Sequence, residues 1–338
     1  MVINKMTEPN KVYHLCGSPT SDYFLELSMI YSRNVICPPG WEQSYIVVKP
    51  GNRWYYGENL DSIEPKEIIQ LLASMDEDAL IVPHMFCKNG MTLYRYFFHE
   101  QLGFSMVGSS ADTMKISMNK SLTRNLVSQN GVRVARGELL SYGESPTIPY
   151  PIMIKPNSED NSSGVSLVEE GKMLDDALEV AFNLDSEVLI EAFIPGRELR
   201  IAVLELNNDF FVPSIIEYPV SEKHPIRRTE DKLEIDKKGI PNRQASTSQV
   251  GPICPANVEH DLLEELTAQA IIAHKSLNAR HYSLFDFRVD NRNGQVVFLE
   301  AGLFWSFSEA SMISTMIKNS ENSLTDIIDR IWKSAKVR

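Results

Sequence analysis

The chain has 338 residues, with 45 acidic against 33 basic side chains and a formal net charge of −12. That length suits two or three domains, and 43% hydrophobic with 23% charged residues is the composition of a folded globular protein rather than a disordered one. The acid excess speaks against nucleic acid or an anionic membrane as a partner, while leaving room for one small anion in a locally basic cleft. No apolar run approaches the roughly 20 residues of a spanning helix, and the first residues lack the apolar core of a signal peptide. The four cysteines, Cys16, Cys37, Cys87 and Cys254, form no CxxC pair. Together these features point to a reducing cytoplasm and to no structural zinc.

In chain order, residues 12–15 read as a strand ending at Gly17-Ser18, and 21–31 carry helical periodicity. Strand-like runs at 46–48, 79–83 and 104–107 alternate with helical patterns at 65–75 and 91–102, which predicts a helix-covered parallel sheet over residues 1–108. The aromatic-rich 91–102 stretch reads as a core or dimer-facing helix. A second region, 109–191, opens with one helix over 111–129, stopped by Asn130-Gly131. Strands at 132–140, 151–154, 165–168 and 187–190 follow, with a polar loop over 155–164 and a helix over 172–182. The third region, 192–338, has two strand-like runs up to Glu217. A polar stretch over 220–250 comes next, long enough to read as functional. A helix over 256–277 leads to a hairpin of 282–289 with 295–299, turning at Asn291-Arg292-Asn293-Gly294. The pattern as a whole is α/β, α+β in parts.

There is no GxxxxGK[ST], no GxGxxG, no HExxH and no GxSxG. The seven histidines show no ligand spacing. Four stretches nevertheless make chemical sense together. Lys155 ends a buried strand, so its ammonium needs water or an anion, and the loop to Gly164 offers N–H groups and the hydroxyls of Ser162 and Ser163 as a phosphate cradle. Taken alone, this is equally a strand-edge lysine and a solvated loop. Glu198 follows the turn Pro195-Gly196 and could bridge ribose hydroxyls, though an ordinary charged turn looks the same. Asp286 and Glu300 lie on neighbouring strands and can share a hard cation. The plainer account of Asp286 is an ion pair with Arg288, which has the same strand parity. Lys120, early in a helix, reads by default as a surface lysine.

In this order the four stretches resemble the ATP-grasp superfamily, in its D-alanine–D-alanine ligase branch, over nearly the whole chain. Gly17-Ser18 and Glu26-Leu27-Ser28 look like that family's opening turn and Glu-Val-Ser, and Asn119-Lys120 like its Asp-Lys. Lys155-Pro156 to Gly164 resembles its phosphate loop, with Asn161 and Ser162 at the serine positions. Residues 191–198 resemble its adenine hinge, and Cys254-Pro255-Ala256 the segment after its omega loop. The resemblance implies a three-domain fold with ATP between the central and C-terminal domains. It implies phosphate contacts from Lys120, Lys155, Asn161, Ser162 and Ser163, and from Lys237 or Lys238 in the long loop. Glu191, Phe193 and Ile194 would meet adenine and Glu198 the ribose. Asp286 and Glu300 would hold Mg²⁺, or Mn²⁺. Asp22 or Glu26 would orient a substrate amine, Ser311-Met312 would hold a substrate carboxylate, and the protein would be a cytoplasmic homodimer. Lys155, Ser162 and Glu300 are the expected catalytic set.

Three positions depart from the family pattern. Leu284 stands where it has arginine, Gly302 where it has a metal-binding asparagine, and Trp305-Ser306 where it has Pro-Gly. Phe304, Trp305 and Phe307 would line a bulkier acceptor pocket. With Glu300-Ala301-Gly302-Leu303-Phe304, these departures resemble the branch that joins an amino acid such as serine or threonine to mycosporine-glycine through a phosphorylated intermediate. The alternatives are a D-Ala–D-Ala or other dipeptide ligase acting through an acyl phosphate, and a nucleotide-binding ATP-grasp protein without catalysis.

Overall fold

The computed structural model describes residues 9–160, 162–207, 209–227, 234–235, 241–242 and 251–337. Three sheets carry the architecture. The first is built from β1 (Asn10–Gly17), β2 (Trp41–Lys49), β3 (Arg53–Gly57), β4 (Glu64–Pro65), β5 (Leu80–Pro83) and β6 (Ser105–Met106), in the order β4-β3-β2-β1-β5-β6. β1 runs parallel to both β2 and β5, so its apolar residues are covered on both faces and read as a continuous run. α1 (Asp22–Arg33) and α2 (Ile68–Ser74) provide crossovers. Gly17, at φ +98°, ends β1 so close to β2 that a Cβ would lie 2.0 Å from the Val48 carbonyl oxygen. The expected helix at 91–102 is present but wound as π turns over Gly90–Tyr94 and Tyr96–Gln101; Leu102 N–H donates to Phe97 O, five residues back, at 3.0 Å.

α3 (Ala111–Ser117) and α4 (Lys120–Gln129) replace the single helix expected over 111–129. Asn119 breaks it, because its side chain accepts the Leu122 N–H at 2.7 Å and caps α4. Both helices were expected with the second region, yet α4 packs on the third sheet, where Val127 and Val132 join the core of Leu199, Phe285 and Phe298. The strand expected over 132–140 is confined to β7 (Gly137–Ser141). With β8 (Ile152–Pro156), β9 (Ser166–Val168) and β10 (Glu187–Ala192) it forms a four-stranded sheet in the order β7-β10-β8-β9, backed by α5 (Leu174–Phe182).

The third sheet joins β11 (Gly196–Leu206), β12 (Asp209–Phe211) and β13 (Ile216–Tyr218) to a long hairpin. β14 (Glu234–Ile235) and β15 (Pro241–Asn242) pair separately, and α6 (His260–Ser276) lies beside α4 on the same face of the third sheet. The hairpin strands are β16 (Tyr282–Asp290) and β17 (Val296–Gly302), followed by α7 (Met312–Lys318) and α8 (Leu324–Lys336). α8 carries a helical stripe of buried residues, Leu324, Ile327, Ile328, Ile331, Trp332 and Ala335. That stripe inserts between the third sheet and the first, where Trp332 meets Trp41, His14 and Phe307. No helix among the described residues is long and apolar enough to cross a membrane.

Under Trp332, His14 Nδ1 and His84 Nε2 share a hydrogen bond of 3.0 Å in full burial. Burial pushes His14 down to about 4, and burial together with His14 holds His84 well below the usual histidine value. An unfolded histidine takes up its proton near 6.5, so the pair's contribution to stability is complete above that pH. It is lost as pH falls toward the depressed values, at up to about 2.7 kcal/mol per pH unit when both count. In urea unfolding at pH 7, 6 and 5, His84→Gln should lose about half of that slope; an unchanged slope would exclude the pair as its source.

Candidate active site

The site grows out of the register between β11 and β16. Glu198 lies opposite Arg288, and Arg200 opposite Asp286. On β17, Glu300 faces Asp286, and the register then shifts so that Phe287 pairs with Phe298. Leu299 is thus the extra residue of a bulge. Alternation sends Leu284, Asp286 and Arg288 to one face. Gly196, at φ +139°, lets β11 start against β16, where a Cβ would meet the Val289 carbonyl oxygen at 1.9 Å.

The ion pair expected between Asp286 and Arg288 does not form. Residues two apart on a strand share a face, but residues directly opposite on the next strand are closer, and each charge takes its cross-strand partner. Arg200 Nε and Nη2 donate to Asp286 Oδ1 and Oδ2, each at 2.5 Å. Arg288 Nη2 donates to Glu198 Oε2 at 2.8 Å. Arg227, from the segment after β13, joins the two pairs: its Nε donates to Glu198 Oε1 and its Nη2 to Asp286 Oδ2 at 3.2 Å. Its guanidinium stands 3.6 Å from the centre of the Tyr218 ring. Burial alone would raise the Asp286 carboxyl, but Arg200 and then Arg227 hold it well below the usual range. Glu198 is likewise raised by burial but held low by Arg227 and Arg288. Neither Arg200 nor Arg227 was found from the sequence. The alternation Glu198, Arg200 along one strand face was the only signal, and it gains meaning only once β11 is set against β16.

A second cluster lies on the central sheet. Lys155 Nζ donates to Glu191 Oε2 at 2.5 Å, and Arg124 Nε to Glu191 Oε1 at 3.1 Å. The partner that Lys155 needed is therefore Glu191, which lies in the hinge. Asn157 ties the loop after β8 to the start of α4, accepting the Lys120 N–H on its carbonyl oxygen and the Ser121 N–H on Oδ1, each at 2.9 Å. Lys120 Nζ donates to the Glu159 carbonyl.

These elements enclose a cleft of about 1800 Å³. Lys120, residues 158–160, Arg200, Arg227, Asp286 and Glu300 line it, as do Tyr31, Phe304, Ser311 and Met312. Ser162 and Ser163 sit half-buried in the loop beyond and do not line it; Ser158, Glu159 and Asp160 do. Asn161, Lys237 and Lys238 lie outside the described residues. Phe193 N–H donates to the Pro151 carbonyl at 3.0 Å, and the Ile194 carbonyl accepts from Arg288 Nη1 at 3.1 Å. Both groups expected at adenine are thus engaged within the protein.

Two expectations at the substrate end are corrected. Asp22 and Glu26 are exposed and do not line the cleft. Ser28 is the inward residue of α1, bonded to Gly17 N–H and to the His84 carbonyl, each at 2.7 Å. At about 100° per residue, positions two and six before it point away. Phe307 is fully buried and does not line the cleft, whereas Trp305 borders it although only 2% of its surface is exposed. They stack on each other at 4.4 Å, and Trp305 Nε1 donates to the hydroxyls of Ser311 and Ser314 at 2.9 and 3.1 Å. Trp305 therefore supports Ser311 from beneath. Phe304 is the aromatic that faces the cleft; it is 40% exposed, 5.4 Å from Phe86, whose ring is in turn 4.9 Å from Tyr31.

Residues 127–333 match the sequence profile described as D-ala D-ala ligase C-terminus. The D-alanine–D-alanine ligase of Geobacter sulfurreducens is 28% identical over 247 residues, covering 71% of this chain and 72% of that protein. That of Chlorobium phaeovibrioides is 30% identical over 250 residues, covering 70% and 65%. Among solved structures, the D-alanine–D-alanine ligase from Coxiella burnetii superposes with a TM-score of 0.78 at 18% identity, over 98% of this chain and 95% of that one. The VanG D-Ala:D-Ser ligase from Enterococcus faecalis superposes at 0.76 with 20% identity, over 97% and 100%. The chain belongs to the D-alanine–D-alanine ligase family and has the ATP-grasp fold. It is accordingly an ATP-dependent ligase that forms carbon–nitrogen bonds.

Asp286 and Glu300 fit the divalent cation that such ligases use. They are hard oxygen donors side by side on the cleft wall, with the Glu300 carboxyl in hydrogen-bond reach of Asp286, an arrangement that calls for a cation between them. Among the described residues no group of three or more His, Cys, Asp and Glu gathers as a ligand set, so phosphate oxygens and water would complete the shell, as suits Mg²⁺.

Glu191 is the keystone of the Lys155 cluster, with 4% of its side chain exposed. Glu191→Ala leaves two buried cations without their partner and should cost about 3–5 kcal/mol. Lys155→Met keeps the Arg124 bond and should cost less. Denaturant unfolding ranks the two; equal costs would show that Glu191 is not the shared anchor.

Proposed function

We propose that this ligase phosphorylates the ring ketone oxygen of an acceptor of the mycosporine-glycine type and joins the amine of serine, threonine or a similar amino acid to the carbon that carried it. The observation that carries this reading is the pair of aromatic rings on the cleft wall, Tyr31 and Phe304, bridged by contacts of both with Phe86, a surface for a flat ring rather than for a methyl group. Leu284 and Gly302 add to it, since both remove polar groups from the wall that the acceptor oxygen would face.

Lys120 and Lys155 would neutralise the phosphates, Glu198 would exchange its guanidinium partners for the ribose, and the Ser311 hydroxyl, set by Trp305, would hold the amino acid's carboxylate. The γ-phosphorus–oxygen bond to ADP breaks as the bond to the ketone oxygen forms. The amine then attacks the same carbon, the carbon–oxygen bond breaks with release of phosphate, and the amine's proton is lost to leave a conjugated imine. The protein's work is placement and charge neutralisation. Mg²⁺ or Mn²⁺ would assist at the phosphates. Homodimeric assembly, expected from the resemblance, and a cytoplasmic place, expected from the scattered cysteines, belong to the same proposal.

A second reading, D-alanyl-D-alanine synthesis through an acyl phosphate, has the broader support from the relatives, since those named above are ligases of D-alanine with D-alanine or D-serine. Mass spectrometry of reactions with ATP and Mg²⁺ separates the two. One reaction holds mycosporine-glycine and mixed amino acids, the other D-alanine alone. An adduct of mycosporine-glycine plus an amino acid minus water is expected; D-Ala–D-Ala formed instead would overturn the proposal in favour of the second reading. In either case Lys155→Ala and Glu300→Gln should abolish turnover in folded protein, and Ser311→Ala should raise the KM for the amino acid more than that for ATP. Wild-type rates in either of the first two would remove those residues from the site.

A further inference from the structure

The cation count of this cleft turns on Asp286. The fork of Arg200 takes both of its oxygens, and Arg227 takes Oδ2 a second time. A bidentate guanidinium fills the in-plane lone pairs that face it. Arg200 has little freedom to leave, because its side chain is only 18% exposed and its guanidinium lies 5.2 Å from the centre of the Tyr218 ring. Mg²⁺ demands a near-octahedral oxygen shell, and Asp286 held in this way has room to join one such shell, shared with Glu300, but not to bridge two. The next residue on the same face of β17 is Gly302, which has no side chain, and nothing but Leu284 comes within 4 Å of where a Cβ would stand.

We infer that the cleft holds one divalent cation per nucleotide, and that Arg200 stands where a second would bind. This rests on the reading of Asp286 and Glu300 as the metal carboxylates. Equilibrium dialysis of the whole chain with Mn²⁺ and adenylyl imidodiphosphate, counting bound metal per bound nucleotide, tests it without turnover. A ratio of one is expected for the wild type and two for Arg200→Met. Two in the wild type, or one in both, overturns the inference. Gly302→Asn, which adds an oxygen ligand at a position with room for it and leaves Arg200 in place, should stay at one; a rise to two would show that only a ligand had been lacking. Nucleotide retention that does not depend on Mn²⁺ would instead overturn the metal reading of Asp286 and Glu300, and the inference with it.

Discussion

The unbroken antiparallel register of β11 against β16 is the constraint from which the rest of the site follows. It sets Glu198 against Arg288 and Arg200 against Asp286, so two buried carboxylates are each held by a guanidinium one strand away. A shift of β11 by one residue would turn Glu198 and Arg200 to the opposite face, into the apolar layer of Phe285 and Phe287 beneath α6. That layer makes the slip prohibitive, since burying charges without partners costs far more than the sheet could recover. Core packing thus specifies the polar side as well. Arg227, arriving from a different segment, ties the two pairs into one network.

The cleft has two unlike ends. The end proposed for the nucleotide is charge held by charge: Lys155 and Arg124 on Glu191, and three arginines on Glu198 and Asp286. Such groups are ordered before any ligand arrives, so binding becomes an exchange of partners rather than an ordering of loose side chains. The substrate end is made of rings, with Phe304 exposed to the cleft and Trp305 buried behind Ser311. On the proposed assignment, selectivity among nucleotides and among acceptors would be built from different physics in one cavity.

Much of this was legible in the sequence, and the failures have physical causes. Short motifs placed Lys155, Glu191, Glu198 and Glu300 near the ends of strands, where apolar periodicity breaks visibly, and Asp286 stood out as a carboxylate inside an apolar run. The hairpin of β16 and β17 was legible from its turn. Arg200 and Arg227 were not, because a cross-strand partner depends on register, which no local pattern encodes. Asp22 and Glu26 were misplaced because the inward face of α1 is set by Ser28 and its two bonds to the backbone, not by hydrophobicity. The split between α3 and α4 was missed because Asn119 looks like any polar helix residue until its side chain turns to cap. Phe307 was expected in the pocket because its neighbours Phe304 and Trp305 border it, but its ring turns inward and stacks on Trp305.

The closing helix α8 has a consequence for how the chain is made. Trp41 Nε1 donates to Asp329 at 2.9 Å, and Lys336 Nζ to Asn10 at 3.0 Å, contacts that span 288 and 326 residues. One face of the first sheet is completed by residues synthesised some 300 positions later. At about 5–20 residues per second, some 300 residues take roughly 15–60 seconds to emerge, and during that time Val12, Leu80 and Val82, which pack in the same core as the α8 stripe, lack their cover. The nascent first sheet is thus a sticky, half-finished surface until α8 arrives.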